Sequence, residues 1–377
     1  RVVDISNPAN PIEVGFYDAP GSANDVEVLG EYAYVAGGDT GVLVVDISDP
    51  ANPVQTGFCD TPGFAHDVAV SGEYAYVADG SAGVRVVDIS DPTNPNEVSA
   101  FDTLGYPENL VVLGEYAYVA DAFSGLVIVD ISDPTDLSEA GFYGPLTYAE
   151  GVTVSGSYAY VADGIYGIRV VNISNPANPF EVGSCDSLDS ERVTVSGGYA
   201  YLADSAAGLR IVSITNPANP IEVGYYDTIA ESFNVAVSGG YAYVTDLHTG
   251  LRVIDIADPT APVENSPYYT PEEAEWVTIS GMYAYVTDEF GMWVLVSNLI
   301  SWPLAYHFLT RWLQGFAYRT DLDATIFITS GLLTLAIAWM TGLGVSDRYL
   351  YVADGLNRFA ANIHDDHPPA ILPDRAL

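Results

Sequence analysis

Polar and aromatic side chains of changing type recur at one fixed place in this sequence, just before a short valine-rich run that hardly changes. The run reads VEVLG at Val26–Gly30, VAVSG at Val68–Gly72 and VTVSG at Val152–Gly156. Positions that vary while their surroundings stay constant are where a repeated scaffold can form one individual binding site. The candidate ligand-binding residues at these positions are Asp25, His66, Asp67, Glu108, Asn109, Glu150, Glu191, Arg192, Asn234, Glu275 and Trp276.

The chemistry that this set favours is binding. Carboxylate and amide oxygens are the ligands that Ca²⁺ and similar divalent cations take in proteins. The same groups, together with one Arg and one His, could instead hold a polar ligand such as a sugar. We therefore predict a non-enzymatic module for ligand binding, adhesion or protein interaction, with a protein or a carbohydrate as its partner and Ca²⁺ or another divalent cation as an optional ligand.

Catalysis at the same positions is the alternative. Two carboxylates that flank a glycosidic bond can hydrolyse it, so the site could belong to a polysaccharide hydrolase or lyase. No pair stands out, however, among the 50 Asp and Glu residues. The sequence also lacks a nucleophile elbow, a phosphate-binding glycine loop, and Cys or His pairs at metal-ligand spacing. No catalytic residue is assigned.

The candidate residues belong to a unit that is copied along the chain. The copy at Tyr74–Ser90 reads YAYVADGSAGVRVVDIS, and the copy at Tyr32–Ser48 reads YAYVAGGDTGVLVVDIS. A fixed period of about 42 residues indicates a repeat architecture. The tyrosines that open the copies are Tyr32, Tyr74, Tyr116, Tyr158, Tyr199, Tyr241 and Tyr283.

Each copy divides into four strand-like runs separated by turn residues. In the second copy these are Asp67–Gly72, Glu73–Asp79, Gly83–Ser90 and a run near 97–101. The prolines of the DPTNP segment that follows the third run remove backbone donors and cannot continue a central strand. The runs are almost continuously apolar, which predicts sheets covered on both faces. Helical repeats of similar period would not tolerate a proline pair and several glycines in every copy.

These features predict an all-β protein, a β-propeller of four-stranded antiparallel blades. The innermost strand of each blade then lines a central channel, and the candidate residues rim one mouth of it. A second recurring carboxylate ends the second strand of each copy, before a glycine-containing loop. Because Asp bonds nearby backbone N–H groups in turns, we predict a structural role for these residues. They are Asp79, Asp121, Asp163, Asp204, Asp246 and Asp288.

The third run carries a family resemblance. It reads LVIVDIS at Leu126–Ser132, and the other copies read VLVVDIS, VRVVDIS, IRVVNIS, LRIVSIT and LRVIDIA. This pattern resembles the LVIVD-repeat family over residues 1–299. The resemblance implies a β-propeller and an extracellular or cell-envelope location, since such proteins are mostly secreted or surface-exposed. It implies no catalytic residue.

Seven blades are predicted, with eight as the alternative. Residues 1–17 resemble the third and fourth strands of a blade whose first two strands lie elsewhere. The seventh copy offers a third strand near 293–297 but no fourth, and the run Ile12–Tyr17 could supply it. The stretch Val345–Gly355, VSDRYLYVADG, resembles an eighth hairpin that residues 1–17 could complete equally well. Sharing one blade between the two ends would remove exposed sheet edges.

The composition is strongly acidic. The formal net charge is −39, and there is no lysine. Phosphate is repelled by such a surface, so we expect no nucleic-acid partner. The two cysteines, Cys59 and Cys185, occupy equivalent places three blades apart, which is too far for a disulfide.

The stretch 301–343 differs from the repeats. It resembles the last periplasmic stretch and final transmembrane helix of FtsX-like ABC-transporter permeases, in which FxxxWLxxFAYR precedes the closing span. The matching residues are Phe308, Trp312, Leu313, Phe316, Ala317, Tyr318 and Arg319. Residues 324–343 carry no charge over a length that can cross a bilayer, so membrane attachment through them is predicted. Transport activity is not implied.

A spanning helix there would place the eighth hairpin on the side of the membrane opposite the seven blades. Either the helix does not span, or the hairpin stands apart from the ring, or the segment is a chimaeric insertion. The predicted organisation is a β-propeller over 1–299, a permease-like helical segment over 300–343, a degenerate repeat hairpin over 344–363 and a disordered tail over 364–377.

Overall fold

Valine, isoleucine and tyrosine runs alternate with glycine- and proline-containing turns in every copy, and the chain accordingly folds into short antiparallel strands. The structure is a computed structural model and describes residues 1–289. These form seven four-stranded antiparallel sheets, each of which is one blade. The predicted β-propeller with seven blades is therefore confirmed.

The first two strands of the chain are β1 (Val2–Asp4) and β2 (Ile12–Gly15). Blade 1 contains β3 (Asp25–Leu29), β4 (Tyr32–Ala36), β5 (Val42–Asp46) and β6 (Val54–Cys59). Blade 2 contains β7 (Asp67–Ser71), β8 (Tyr74–Ala78), a 3₁₀ turn (Gly80–Ala82), β9 (Val84–Asp88) and β10 (Asn96–Phe101). Blade 3 contains β11 (Asn109–Leu113), β12 (Tyr116–Ala120), β13 (Leu126–Asp130) and β14 (Ser138–Tyr143).

The remaining blades repeat this order. Blade 4 contains β15 (Gly151–Ser155), β16 (Tyr158–Ala162), β17 (Ile168–Asn172) and β18 (Phe180–Cys185). Blade 5 contains β19 (Arg192–Ser196), β20 (Tyr199–Ala203), β21 (Leu209–Ser213) and β22 (Ile221–Tyr226). Blade 6 contains β23 (Ser232–Ser238), β24 (Tyr241–Asp246), β25 (Gly250–Asp255) and β26 (Val263–Tyr268). Blade 7 contains β27 (Glu273–Ser280), β28 (Tyr283–Glu289) and the two N-terminal strands, in the order β2-β1-β28-β27.

Blade 7 closes the ring. Strand β1 pairs antiparallel with β28, with Val2 opposite Tyr285 and Val3 opposite Ala284. The first strands of successive blades contact one another, and β27 contacts β3. The prediction that residues 1–17 complete a blade begun elsewhere is therefore confirmed.

One detail of that closure corrects the sequence interpretation. The third strand of blade 7 was predicted near 293–297, which lies outside the described residues, but its place beside β28 is occupied by Val2–Asp4. The physical reason is that RVVDIS at the start of the chain carries the same side-chain pattern as the third strand of the other copies. It therefore pairs in the register that those strands use. The eighth hairpin and the candidate membrane span also lie outside the described residues.

The apolar core lies between the blades. On β8, Ala75 and Val77 pack against Tyr34 and Val44 of blade 1, whereas Tyr76 and its neighbour Ala78 pack against blade 3. Both faces of a strand are therefore covered by apolar neighbours, which explains why the sequence does not alternate between apolar and polar residues.

The predictions about the two cysteines and about a membrane-spanning helix can be compared with residues 1–289. The cysteines Cys59 and Cys185 are free thiols at the ends of β6 and β18, in different blades. Within residues 1–289, no helix is long and apolar enough to span a membrane.

Candidate binding site at the channel mouth

The predicted site residues lie at one end of the innermost strands. The first strand of every blade runs in the same direction around the ring, so all of these strands begin at the same mouth of the channel. Asp25, Asp67, Asn109, Gly151 and Arg192 are the first residues of β3, β7, β11, β15 and β19. Asn234 and Trp276 lie a few residues inside β23 and β27, which begin earlier. The structure thus brings the predicted residues together at one mouth.

Four of these residues connect neighbouring blades. The carboxylate or amide oxygen of each accepts a hydrogen bond from a backbone N–H in the first strand of the next blade. The donors and distances are Val68 N to Asp25 Oδ2, 2.8 Å; Leu110 N to Asp67 Oδ2, 2.7 Å; Val152 N to Asn109 Oδ1, 2.7 Å; and Val277 N to Asn234 Oδ1, 3.4 Å. These side chains are buried. Their oxygens are already engaged, so their main role is to hold the ring together.

Asp25 and Asp67 are neighbouring buried carboxyl groups, but they differ in how strongly each holds a proton. Burial, together with the neighbouring Asp67 carboxylate, raises the pKa of Asp25 well above its usual range. Burial also raises the pKa of Asp67, but hydrogen bonds from Leu110 and Asn109 and the charge of Arg192 oppose that rise. Asp25 is therefore the member of the pair that holds a proton more strongly, and it donates to Asp67.

Arg192 is the buried cation of the mouth. Its guanidinium carbon lies 5.4 Å from the Phe233 ring centroid and 5.2 Å from that of Trp276. Nη1 donates to the Glu191 carbonyl at 3.0 Å, and Nε has no hydrogen-bond partner within residues 1–289. The neighbouring blade makes room for it with a glycine, because a Cβ atom on Gly151 would lie 3.0 Å from Arg192 Cδ.

His66, Tyr106, Glu108 and Tyr148 form a connected row across blades 2 to 4. His66 Nε2 lies 3.0 Å from Tyr106 Oη, and its Nδ1 lies 3.5 Å from Glu108 Oε2. Tyr148 donates to Glu108 Oε1 at 2.8 Å. Burial lowers the pKa of His66 in spite of the nearby Glu108 carboxylate, so the imidazole is neutral at pH 7.

Glu150 and Glu191 form a second carboxylate pair, at the start of blades 4 and 5. Burial and a hydrogen bond with Glu191 raise the pKa of Glu150 to about 9. Glu150 is therefore protonated near neutral pH, and Glu191 accepts its proton in a hydrogen bond. Glu275 is partly exposed at the mouth, and its backbone carbonyl accepts from Thr245 Oγ1 at 2.8 Å.

A further set of mouth residues was missed in the sequence. It lies two positions before the first residue of each predicted rim pair. In blades 2, 3 and 4 this place holds an aromatic residue, and we call Phe64, Tyr106 and Tyr148 the aromatic arc. In blades 5, 6 and 7 it holds a carboxylate, and we call Asp189, Glu231 and Glu273 the acidic arc. The change of residue type between consecutive copies was the available signal.

Glu27 is a second residue that the sequence interpretation missed. It lies in the channel-lining strand β3, two residues beyond Asp25. Burial and the Asp67 carboxylate raise its pKa to about 7. The equivalent positions in the two following blades hold the uncharged residues Ala69 and Val111. The charged residue type at Glu27 was therefore a signal that the sequence offered.

The recurring aspartates that end the second strands have the predicted structural role. Asp79 accepts hydrogen bonds from Thr61 Oγ1 at 2.7 Å and from the backbone N–H of Gly63 at 2.8 Å. Asp121 accepts from Thr103 and Gly105 in the same way. Each anchors the connection that leads into its own blade. Among the described residues, no group of three or more His, Cys, Asp or Glu side chains is arranged to hold a metal ion.

Comparison with known proteins supports the architecture. A family model described as the LVIVD repeat matches eight segments of the chain: residues 1–19, 20–61, 62–103, 104–144, 147–187, 189–228, 231–270 and 272–305. No curated protein resembles the chain closely enough to count as a match.

Several solved structures share the fold. The WD40 β-propeller domain of Doa1 aligns with a TM-score of 0.60 and 10% identity, covering 72% of this chain and 91% of that one. The β-propeller domain of Myceliophteria thermophila Cps50 (Swd1) aligns at 0.57 and 11% identity, covering 76% and 100%. BamB from Moraxella catarrhalis aligns at 0.52 and 13% identity, covering 73% and 85%. At these identities the likeness concerns the fold alone.

Proposed function

The chain belongs to the LVIVD-repeat family. From the residues that rim its channel, we propose that it is a non-enzymatic β-propeller that binds a ligand at the channel mouth. The observation that carries this proposal is the change in residue type at equivalent mouth positions, from Phe64, Tyr106 and Tyr148 to Asp189, Glu231 and Glu273. The strands beneath keep nearly the same sequence in every blade. A scaffold alone would not need this difference, whereas an individual binding surface does.

Some mouth residues are engaged in contacts between blades, and others are exposed and can contact a ligand. The oxygens of Asp25, Asp67, Asn109 and Asn234 bond the next blade. The partly exposed side chains of His66, Glu108, Glu150, Glu191 and Trp276 remain to face a ligand. Aromatic rings with polar edges and several carboxylates suit a protein or a carbohydrate partner.

The geometry of the acids favours binding over glycoside hydrolysis. A retaining glycosidase holds its two carboxyl groups roughly 5 Å apart and an inverting one farther, so that the sugar and a water fit between them. Glu150 and Glu191 instead hydrogen-bond each other directly. Glu150 has the raised pKa of an acid catalyst, but its neighbouring carboxyl group is engaged in that hydrogen bond.

An extracellular or cell-envelope location is part of this proposal. It is supported by the family resemblance and by the acidic composition, with a net charge of −39. Membrane attachment through 324–343 would then place the ring at a membrane surface. Surface labelling of intact cells and fractionation of the native gene product test both statements, and recovery of unlabelled protein in the cytoplasmic fraction would contradict them.

The binding proposal is tested with glycan and peptide arrays. The mouth variant Glu108→Gln/Glu191→Gln is compared with Glu73→Gln/Glu115→Gln, which removes two carboxylates from hairpin turns at the opposite end of the channel. We expect hits that the mouth variant loses and the control keeps, with no new reducing ends released from bound glycans. Hits that survive in the mouth variant, or product release, would contradict the proposal.

A further inference from the structure

The connections beside the arcs expose large apolar side chains. Leu104, Leu188 and Ile229 lie in the connections that lead into blades 3, 5 and 6, and their exposed fractions are 96%, 70% and 72%. Phe123, in the loop after the second strand of blade 3, is 76% exposed. Its ring meets the Tyr148 ring edge-on, with centroids 4.7 Å apart. Exposed apolar side chains therefore flank both arcs, with Leu104 and Phe123 beside the aromatic arc and Leu188 and Ile229 beside the acidic arc. Such exposed apolar area is a common property of surfaces that bind other proteins.

Among residues 1–289, the acidic arc has too few neighbouring cations to neutralise its charge. Burial and the carboxylates of Glu191, Asp204 and Glu231 raise the pKa of Asp189, which reflects the crowding of like charges. His248 Nδ1 lies 3.3 Å from Glu273 Oε1, and the imidazole is itself exposed. The buried Arg192 is held between Phe233 and Trp276. This half of the mouth therefore attracts positive charge.

From these two halves we propose that the mouth binds a basic polypeptide segment, in which Lys or Arg side chains lie on the acidic arc and adjacent aromatic or apolar side chains pack on the aromatic arc and Phe123. This rests on the proposed function and specifies the class of its partner. A neutral sugar would use the rings but not the unbalanced carboxylates. A second copy of this chain would present a like-charged face and be repelled.

The probe is a fluorescently labelled peptide of alternating Arg and Phe, titrated with the full chain and followed by anisotropy. Matched peptides of alternating Arg and Ser, and of alternating Glu and Phe, separate charge from apolar contact. We expect the Arg-Phe peptide to bind at least about tenfold more tightly than Arg-Ser, and Glu-Phe not to bind. Binding of Arg-Phe should weaken as salt screens the exposed charges.

Two triple variants locate the site. Asp189→Asn/Glu231→Gln/Glu273→Gln removes the acidic arc, and Glu31→Gln/Glu73→Gln/Glu115→Gln removes the same charge from the opposite end of the channel. The first should weaken Arg-Phe binding about tenfold, because three exposed ion pairs with the peptide are lost. The second should change it less than about twofold. Phe123→Ser, at an exposed site, should also weaken binding without lowering the melting temperature.

Equal effects of the two triple variants, or equal binding of Arg-Phe and Arg-Ser, would show diffuse charge attraction and overturn the inference. If the arrays give hits that depend on Glu108 and Glu191 while the Arg-Phe peptide does not bind, the proposed function stands and this inference fails. If array hits do not depend on the mouth at all, the proposed function fails as well.

Discussion

Arg1 Nε donates a hydrogen bond to Asp288 Oδ2 at 2.8 Å, across a sequence separation of 287 residues. Blades 2, 4, 5 and 6 contain the same pair, formed between the second position of a third strand or its equivalent and the aspartate that ends the second strand. The matching distances are 3.9 Å for Arg85–Asp79, 3.3 Å for Arg169–Asp163, 3.7 Å for Arg210–Asp204 and 4.0 Å for Arg252–Asp246. Blades 1 and 3 have Leu43 and Val127 at the arginine position. The N-terminal strand thus takes the place of a regular third strand, and blade 7 contains the same arginine–aspartate contact as blades 2, 4, 5 and 6.

The first prediction concerns this closure. Val3 of β1 and Val87 of β9 are equivalent residues, and both are fully buried. Replacing either with Ala removes two buried methyl groups and leaves a cavity, which costs about 2 kcal/mol. Denaturant unfolding of Val3→Ala and Val87→Ala should give equal losses of unfolding free energy. A much smaller loss for Val3→Ala would mean that β1 does not belong to the cooperative ring.

The second prediction concerns the proton on Asp25. Asn at this place keeps the oxygen that accepts the Val68 N–H, as Asn109 and Asn234 accept from the next blade. It also keeps a donor toward Asp67. Asp25→Asn should therefore change the unfolding free energy at pH 7.5 by less than about 0.5 kcal/mol. Asp25→Ala leaves the buried N–H of Val68 without a partner and should cost about 1–3 kcal/mol. Equal losses in the two variants would contradict the protonated state.

The third prediction is the pH dependence of stability. Folding raises the pKa of Glu27 from 4.5 to about 7 and that of Glu150 from 4.5 to about 9. Between these values the folded state holds a proton that the unfolded state has released, so stability falls as the pH rises. The melting temperature should decrease from pH 5 to pH 9.

The variants Glu27→Gln and Glu150→Gln should each flatten that decrease, the first mainly below pH 7 and the second up to pH 9. Glu73→Gln removes one carboxylate from the opposite end of the channel and serves as the matched control. A melting temperature that rises with pH, or equal slopes in all the variants, would contradict the assignment.

The fourth prediction concerns the space that Gly151 leaves for Arg192. A Cβ atom there would lie 2.9 Å from the Glu191 carbonyl oxygen and 3.0 Å from Arg192 Cδ. Gly151→Ala should move the guanidinium away from Trp276, change the fluorescence of that indole and cost about 1–3 kcal/mol of stability through overpacking. The signal is isolated by subtracting spectra recorded in a Trp276→Phe background. An unchanged Trp276 spectrum would mean that Arg192 is not held where the structure places it.

Much of the fold was predictable, because it depends on features that are visible within the sequence of each single repeat. The 42-residue period, the proline-containing DPTNP segment and the apolar runs indicated four strands per blade and coverage on both faces. The closing strand was harder to assign, because the start of the chain and the end of the seventh copy both resembled a third strand. Only the pairing of Val2 with Tyr285 decides between them.

The site was predictable in position but not in role. Aligning the copies placed Asp67 and Asn109 at one mouth, where the structure has them. It could not show that their oxygens bond the next blade, because the donors Leu110 and Val152 lie 43 residues along the chain. Tyr106 and Tyr148 were missed, since a single aromatic residue in a connection looks like ordinary packing until it is compared across the ring.

The sequence by itself therefore determined the repeat, the strands and the orientation that sends every variable position to the same mouth, since these follow from local patterns that recur unchanged. Tertiary structure alone decided which carboxylates accept hydrogen bonds from the next blade and which carry a proton. It also decided that the mouth has an aromatic half and an acidic half. Those properties depend on burial and on neighbours in other blades, which become neighbours only when the ring closes.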